Sequence, residues 1–255
     1  NRRLSFIGMS NNVNQQNFSS QDLLGLTGAS PHGGRGRPGG GSGYSRNSAA
    51  NNFLVGQQGG NSTTSSAGVN YSDVLGKKQN VKISAGYFFN LTDNINNTNL
   101  TRQYFSTGDS SSNYKEANNT TTRNMNHRVN LRLDYEIDSS NRLIFTPKFS
   151  YQSNSQTNVI DGQTFLSEGT LLSQTDSRYT ANNSGYNGTG DLLYQHKFKK
   201  RYRTISFDVG TNINNKFGTA AQNAMNSFQT VSDSTTLDQQ AKSSGTSYQI
   251  TGNVT

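Results

Sequence analysis

Cysteine is absent from this 255-residue chain, and so is tryptophan. Without thiols there can be no disulfide, no thiolate metal site and no cysteine nucleophile. Charged residues make up 15% of the chain and apolar residues only 29%. Ordinary globular domains are about 45–50% apolar, so a conventional soluble core would be starved here. Long hydrophobic runs are also missing, and nothing approaches the roughly 18 apolar residues of a membrane-crossing helix. The first residues, Asn1-Arg2-Arg3-Leu4, carry no initiator methionine and no signal peptide, and the chain closes inside the alternating run Tyr248 to Thr255. Both ends therefore look cut, and a longer parent protein is expected; the missing leader says nothing about export.

Asn, Ser, Thr, Gln and Gly fill the composition, together with 12 Tyr and 13 Phe. Disordered chains share the low apolar content but are poor in aromatics. A polar, aromatic, weakly charged chain suits a sheet with one wet face and one greasy face.

Alternation with a period of two is the dominant pattern. Val129, Leu131, Leu133, Tyr135 and Ile137 fall on one face, against Arg128, Asn130, Arg132, Asp134 and Glu136 on the other. Asp138-Ser139-Ser140-Asn141 follows as a tight turn, built from residues that bond their own backbone. Leu143, Phe145, Phe149 and Tyr151 then alternate with Thr146, Lys148, Ser150 and Gln152, completing a hairpin. Similar runs occupy 81–90, 186–198 and 204–217, with weaker ones near Leu4–Met9, Ala67–Val74 and Tyr248–Val254. The count is about eight strands. Pro147 lies inside a good strand and cannot donate to a ladder, so a bulge or a local edge is expected there.

The connections divide into two kinds. Short turns are predicted near Leu75–Asn80, Asp138–Asn141 and Lys199–Tyr202, and long polar loops near Ser10–Ser65, Asp93–Asn118, Ser153–Asn182 and Gly218–Ser244. Within the first long segment, Ser19 to Leu24 has capping-box spacing for a helical turn, and residues 28–62 form a Gly/Ser/Asn-rich long loop. Strict alternation of short and long connections is the habit of outer-membrane barrels, with tight periplasmic turns and long external loops. In hydrocarbon no backbone polar group can go unpaired, so a spanning sheet must close on itself. The expected fold is all-β: an up-and-down antiparallel transmembrane β-barrel, partial, about eight strands of a larger barrel. Residues 1–255 then form one partial outer-membrane β-barrel domain. Tyr135, Tyr151, Tyr194 and Phe198 lie near strand ends, where interfacial aromatics gather.

Motifs for chemistry are weak. Gly34-Arg35-Gly36-Arg37-Pro38-Gly39 matches the letters of a dinucleotide fingerprint, but no strand precedes it and no helix follows. Gly40-Gly41-Ser42-Gly43 fails the spacing of a nucleophile elbow. His32, His127 and His196 have no partner at metal-ligand spacing, so neither a metal nor a cofactor is expected. Asp134 and Glu136 are expected to pair with strand-neighbour arginines such as Arg132 rather than to act as an acid–base pair. No catalytic constellation is found, and an enzyme is not expected. The net charge of +8 raises nucleic acid as a partner. The basic residues are scattered, however, apart from Lys77-Lys78 and the stretch Lys197 to Arg203, and no nucleic-acid motif accompanies them. That basic stretch, at a short turn, is read as charge that blocks edge pairing, with contact to anionic lipid headgroups or a periplasmic partner as the alternative.

The segments Arg3-Leu4-Ser5-Phe6-Ile7-Gly8-Met9-Ser10-Asn11-Asn12-Val13-Asn14 and His196-Lys197-Phe198-Lys199-Lys200-Arg201-Tyr202-Arg203-Thr204-Ile205-Ser206 resemble the TonB-dependent-receptor-like outer-membrane β-barrel family of Bacteroidota. Leu143-Ile144-Phe145-Thr146-Pro147-Lys148-Phe149-Ser150-Tyr151 is similar to a strand of the same family. The resemblance implies a parent with a signal peptide, a plug and a barrel of about 22 strands, of which this chain would be the first third. It also implies uptake of an unknown small nutrient across the bacterial cell outer membrane, with lipid around the barrel and TonB as the energy source. No plug, TonB box or terminal aromatic strand appears in these residues. Alternation alone places Arg128, Arg132, Asp134, Lys148 and Asp208 toward the lumen, where they would tune what passes; the ligand-binding residues themselves are unknown. Charge reversal of Arg128 and Arg132 is expected to alter uptake while leaving assembly intact. The alternative function is a surface-displayed or secreted β-rich adhesin without transport, which would have no apolar belt of bilayer height.

Overall fold

The computed structural model describes residues 2–12, 59–76, 78–105, 111–200, 202–229 and 233–255. They form eight strands: β1 (Arg3–Asn11), β2 (Asn61–Leu75), β3 (Val81–Tyr104), β4 (Ser112–Glu136), β5 (Asn141–Leu166), β6 (Leu171–Lys197), β7 (Thr204–Phe228) and β8 (Asp233–Val254). All pair antiparallel with their sequence neighbours in one sheet of order β1 to β8. The sheet is open, with β1 and β8 at its edges: an up-and-down meander, the architecture of a partial β-barrel. The predicted capped turn at Ser19–Leu24, the glycine tracts at 34–43, His32 and most of the 28–62 loop lie outside the described residues. Asn61 and Ser62, at the end of that loop, belong to β2.

Two expectations are corrected, one by the strand lengths and one by the register. The segments 93–118, 153–182 and 218–244, predicted as long loops, are mostly strand. β3 to β8 run for 22 to 27 residues each, roughly twice what a bilayer crossing needs. Their pairing continues without interruption from Asn94↔Thr122 to Tyr104↔Ser112 and from Gln156↔Ala181 to Thr164↔Ser173. Polar side chains on both faces erase the period-two signal, while the backbone ladder is indifferent to side-chain polarity. The second correction concerns Pro147. It sits in mid-sheet with β5 paired on both sides, and the register is the same above and below it, so there is neither a bulge nor an edge. Its missing N–H shows instead as a gap in the β4–β5 ladder opposite Leu131 and Arg132. The bulge in β5 falls at Thr164/Phe165.

The tight turns stand where the sequence placed them. At the β4–β5 turn the Asp138 carboxylate accepts from the backbone N–H of Ser140 at 2.7 Å and of Asn141 at 2.8 Å, and from Asn141 Nδ2 at 2.7 Å. The Asn141 side chain, followed by the Ser140 amide, holds the carboxyl below its ordinary value of 3.8. A depressed folded pKa stabilises the turn above the unfolded carboxylate range, and the contribution is lost as pH falls through the lower folded value. The Ser140 and Asn141 amide resonances should therefore titrate with a midpoint below 3.8. A midpoint at or above that value would contradict the geometry. At the opposite end, Gly169 (φ 89°) closes the 167–170 turn in the left-handed region.

The described residues hold no apolar core between layers. Among the described residues only Phe88 and Ala181 are buried hydrophobics, whereas eleven polar or charged residues are buried.

Candidate functional site

The register assembles two unlike faces. On one, Val81, Ile83, Tyr87 and Phe89 of β3 lie across from Tyr135, Leu133, Val129 and His127 of β4. The same face continues through Leu143, Phe145, Phe149 and Tyr151 of β5, and Tyr194, Leu192 and Tyr186 of β6. Phe207, Val209 and Ile213 of β7, then Val254 and Tyr248 of β8, carry it to one edge; Val69 and Phe6 carry it to the other. Many of these side chains are exposed although apolar, including Phe6 at 75%, Val129 at 40% and Ile213 at 47%. Aromatic contacts run along it. His127 packs against Phe89 and Tyr151 and bonds Tyr87 Oη at 2.7 Å through Nδ1; Phe149 stacks on Tyr186, and Tyr194 on Phe207.

The other face is polar, and on β2 to β4 it is buried away from the short turns. Asn90 Nδ2 donates to Ser66 Oγ at 2.7 Å, and Asn94 Nδ2 to Ser62 Oγ at 2.7 Å. Gln152 Nε2 donates to Asn124 Oδ1 at 2.9 Å. These side-chain bonds satisfy polar groups that would be costly to bury alone. Arg128, Arg132, Asp134, Lys148 and Asp208 all fall on this face by register, as alternation predicts.

Only part of that set comes together. Next to the short turns, Asp134 accepts from Arg142 Nε at 2.8 Å and Nη2 at 2.5 Å, while Arg132 stands 4.0 Å off. Glu136 meets Lys82 at 3.8 Å. The close partner of Asp134 is thus Arg142 on the next strand rather than Arg132, a correction that follows from cross-strand geometry: neighbours along one strand face point in parallel, and a residue on the adjacent strand can reach across. The two-pronged bond is the strong form of this contact. Asp134→Ala should cost about 1–3 kcal/mol, less than a fully buried pair because the Arg142 side chain is 42% exposed. Urea unfolding of wild type and variant checks it, and a loss of a few tenths would remove the pair as a stabilising element.

Away from that cluster, β5, β6 and β7 form a groove of about 470 Å³ on the polar face, over Gly185. A Cβ at Gly185 would lie 2.7 Å from the Asn215 carbonyl oxygen, so a side chain is excluded there. Asn154, Asn187 and Asn214 supply amides to its walls, and Lys216 a cation. The sequence contains these amides but gives no sign that they converge. His127 and His196 are bound to Tyr87 and Asn141, and no group of residues able to hold a metal occurs among the described residues. Lys197, Lys199, Lys200 and Arg203 flank the exposed β6–β7 turn; Arg201 and Lys77 lie outside the described residues. No protein-family model matches the chain, and no curated protein matches it.

Proposed function

We propose that this chain is part of a bacterial outer-membrane β-barrel that transports or receives a nutrient, of the TonB-dependent type. The supporting observation is the apolar face that crosses all eight strands beside the short turns. On β3 it covers positions 81–91; about 11 residues rising ~3.3 Å each, tilted by ~40°, stand roughly 28 Å tall. That height is close to the apolar band of outer-membrane barrels. An apolar face of this extent, with two buried hydrophobic residues among those described, needs lipid or another apolar cover. Beyond the belt the strands continue, polar on both faces, as they would in water outside the membrane. Energy coupling through TonB is carried over from the family resemblance alone.

The absence of cysteine makes the test direct. Single cysteines at 143–151 carry a fluorophore in protein reconstituted into vesicles with quencher-bearing lipid tails. Quenching should alternate, strong at Leu143, Phe145, Phe149 and Tyr151 and weak at Ile144, Thr146, Lys148 and Ser150. Uniform weak quenching, or a protein monodisperse in buffer without detergent, would overturn the membrane reading. Uptake measured in cells carrying the parent protein tests the transport half.

A further inference from the structure

We propose that the polar-face groove and the strand beside it form a binding site for an anionic solute, one bearing a carboxylate or phosphate. The inference deepens the transport reading and rests on it for the word solute.

Two buried donors in β4 lack an acceptor among the described residues. Arg128 Nη1 and Asn126 Nδ2 are both out of contact with solvent and have no hydrogen-bond partner there. Asn126 is only 2% exposed. The two residues are two positions apart, hence on one face. No described β4 residue lines the groove, but its β5 wall is the strand next to β4: Asn126 pairs with Gln152, and Arg128 with Ser150. Lys216 lines the β7 side. Three strand spacings of roughly 4.8 Å separate β4 from β7, so the two cationic strands stand ~14 Å apart.

Among the described residues no carboxylate pairs with these cations. The ion pairs among the described residues use Arg2, Lys82, Arg123, Arg132 and Arg142, and neither Arg128 nor Lys216 is among them. Asp134 is already engaged by Arg142. A guanidinium with a desolvated, unpaired nitrogen is costly unless an anion completes it. A planar two-oxygen anion suits it best, because the guanidinium fork offers parallel donors. The amides of Asn154, Asn187 and Asn214 then supply donors and acceptors to the neutral part of the same molecule.

The test uses the full parent protein in detergent, with citrate and inorganic phosphate as anionic probes and glycerol as the neutral one, titrated by calorimetry at fixed ionic strength. Citrate or phosphate should bind and glycerol should not. Arg128→Gln should weaken anion binding at least about tenfold, since a charged hydrogen bond is lost, and Arg128→Lys should restore part of it. Lys216→Gln should weaken it less, and Lys82→Gln, whose cation is paired with Glu136, should leave it unchanged. Arg128→Gln binding the anions as wild type does, or wild type binding none, overturns the proposal. Lipid quenching on the same preparation separates the two readings: alternating quenching without anion binding sinks the site and leaves the barrel, whereas anion binding without quenching does the reverse. A variant that fails to fold is replaced by Asn126→Leu, which removes the second donor and should also weaken binding; unchanged affinity there overturns the proposal as well.

Discussion

Phe88→Ala is expected to cost about 3–5 kcal/mol of folding stability, as for a fully enclosed aromatic side chain cut back to a methyl group. Phe88 is 1% exposed and is the largest fully buried side chain described. It belongs to the polar face, where it lies opposite Gly68 on one side and Arg128 on the other. Its neighbours along β3 on that face are Gly86 and Asn90. Loss of so large an enclosed ring would leave a cavity, and the cost grows with the volume that the surroundings do not refill. Phe89→Ala provides the contrast: Phe89 is on the apolar face, where lipid or detergent tails can fill the space, and its loss should cost less. Denaturant midpoints of the two variants, measured in the same detergent, decide the matter. Equal losses would mean that the two faces have the same surroundings.

Val129→Arg should destabilise the membrane-inserted protein by about 2–4 kcal/mol, the cost of an arginine near the midplane of the lipid-facing surface. Val129 stands midway along the belt, between Tyr87 and Phe149, and is 40% exposed. In water an exposed valine replaced by arginine would cost a few tenths of a kcal/mol at most, because surface substitutions generally do. Gln249→Arg, exposed on the polar face of β8, is the control and should be close to neutral. Refolding into vesicles followed by denaturant titration reads both. A neutral Val129→Arg would remove lipid from the outward face, and the transport reading with it.

The strands of the belt were legible because one face had to be apolar there and the other did not. Val81 to Phe89, Val129 to Ile137 and Leu143 to Tyr151 each show the alternation, and each pairs in the register that keeps the faces matched. The Asp138 turn was legible for a local reason, since its carboxylate bonds amides two and three residues ahead. Past the belt the signal stops. Asn94 to Tyr104 and Ser112 to Thr122 look like loop by composition, yet each is extended because the other is. The groove over Gly185 escaped notice for a similar reason: its amides come from β5, β6 and β7, and no spacing within one strand reports their convergence.

What the sequence determined by itself is local: which side chains share a face, where the chain turns, and that no thiol chemistry exists. Those follow from the two-residue pleat and from the bonding reach of short polar side chains. Tertiary structure decided how far each strand runs, that Phe88 is enclosed on the polar face while Phe89 joins the apolar one, that Asp134 takes Arg142, and that Arg128 Nη1 finds no hydrogen-bond partner among the described residues. Burial and ion pairing depend on which strand lies alongside, and that is set by register across the sheet rather than by order along the chain.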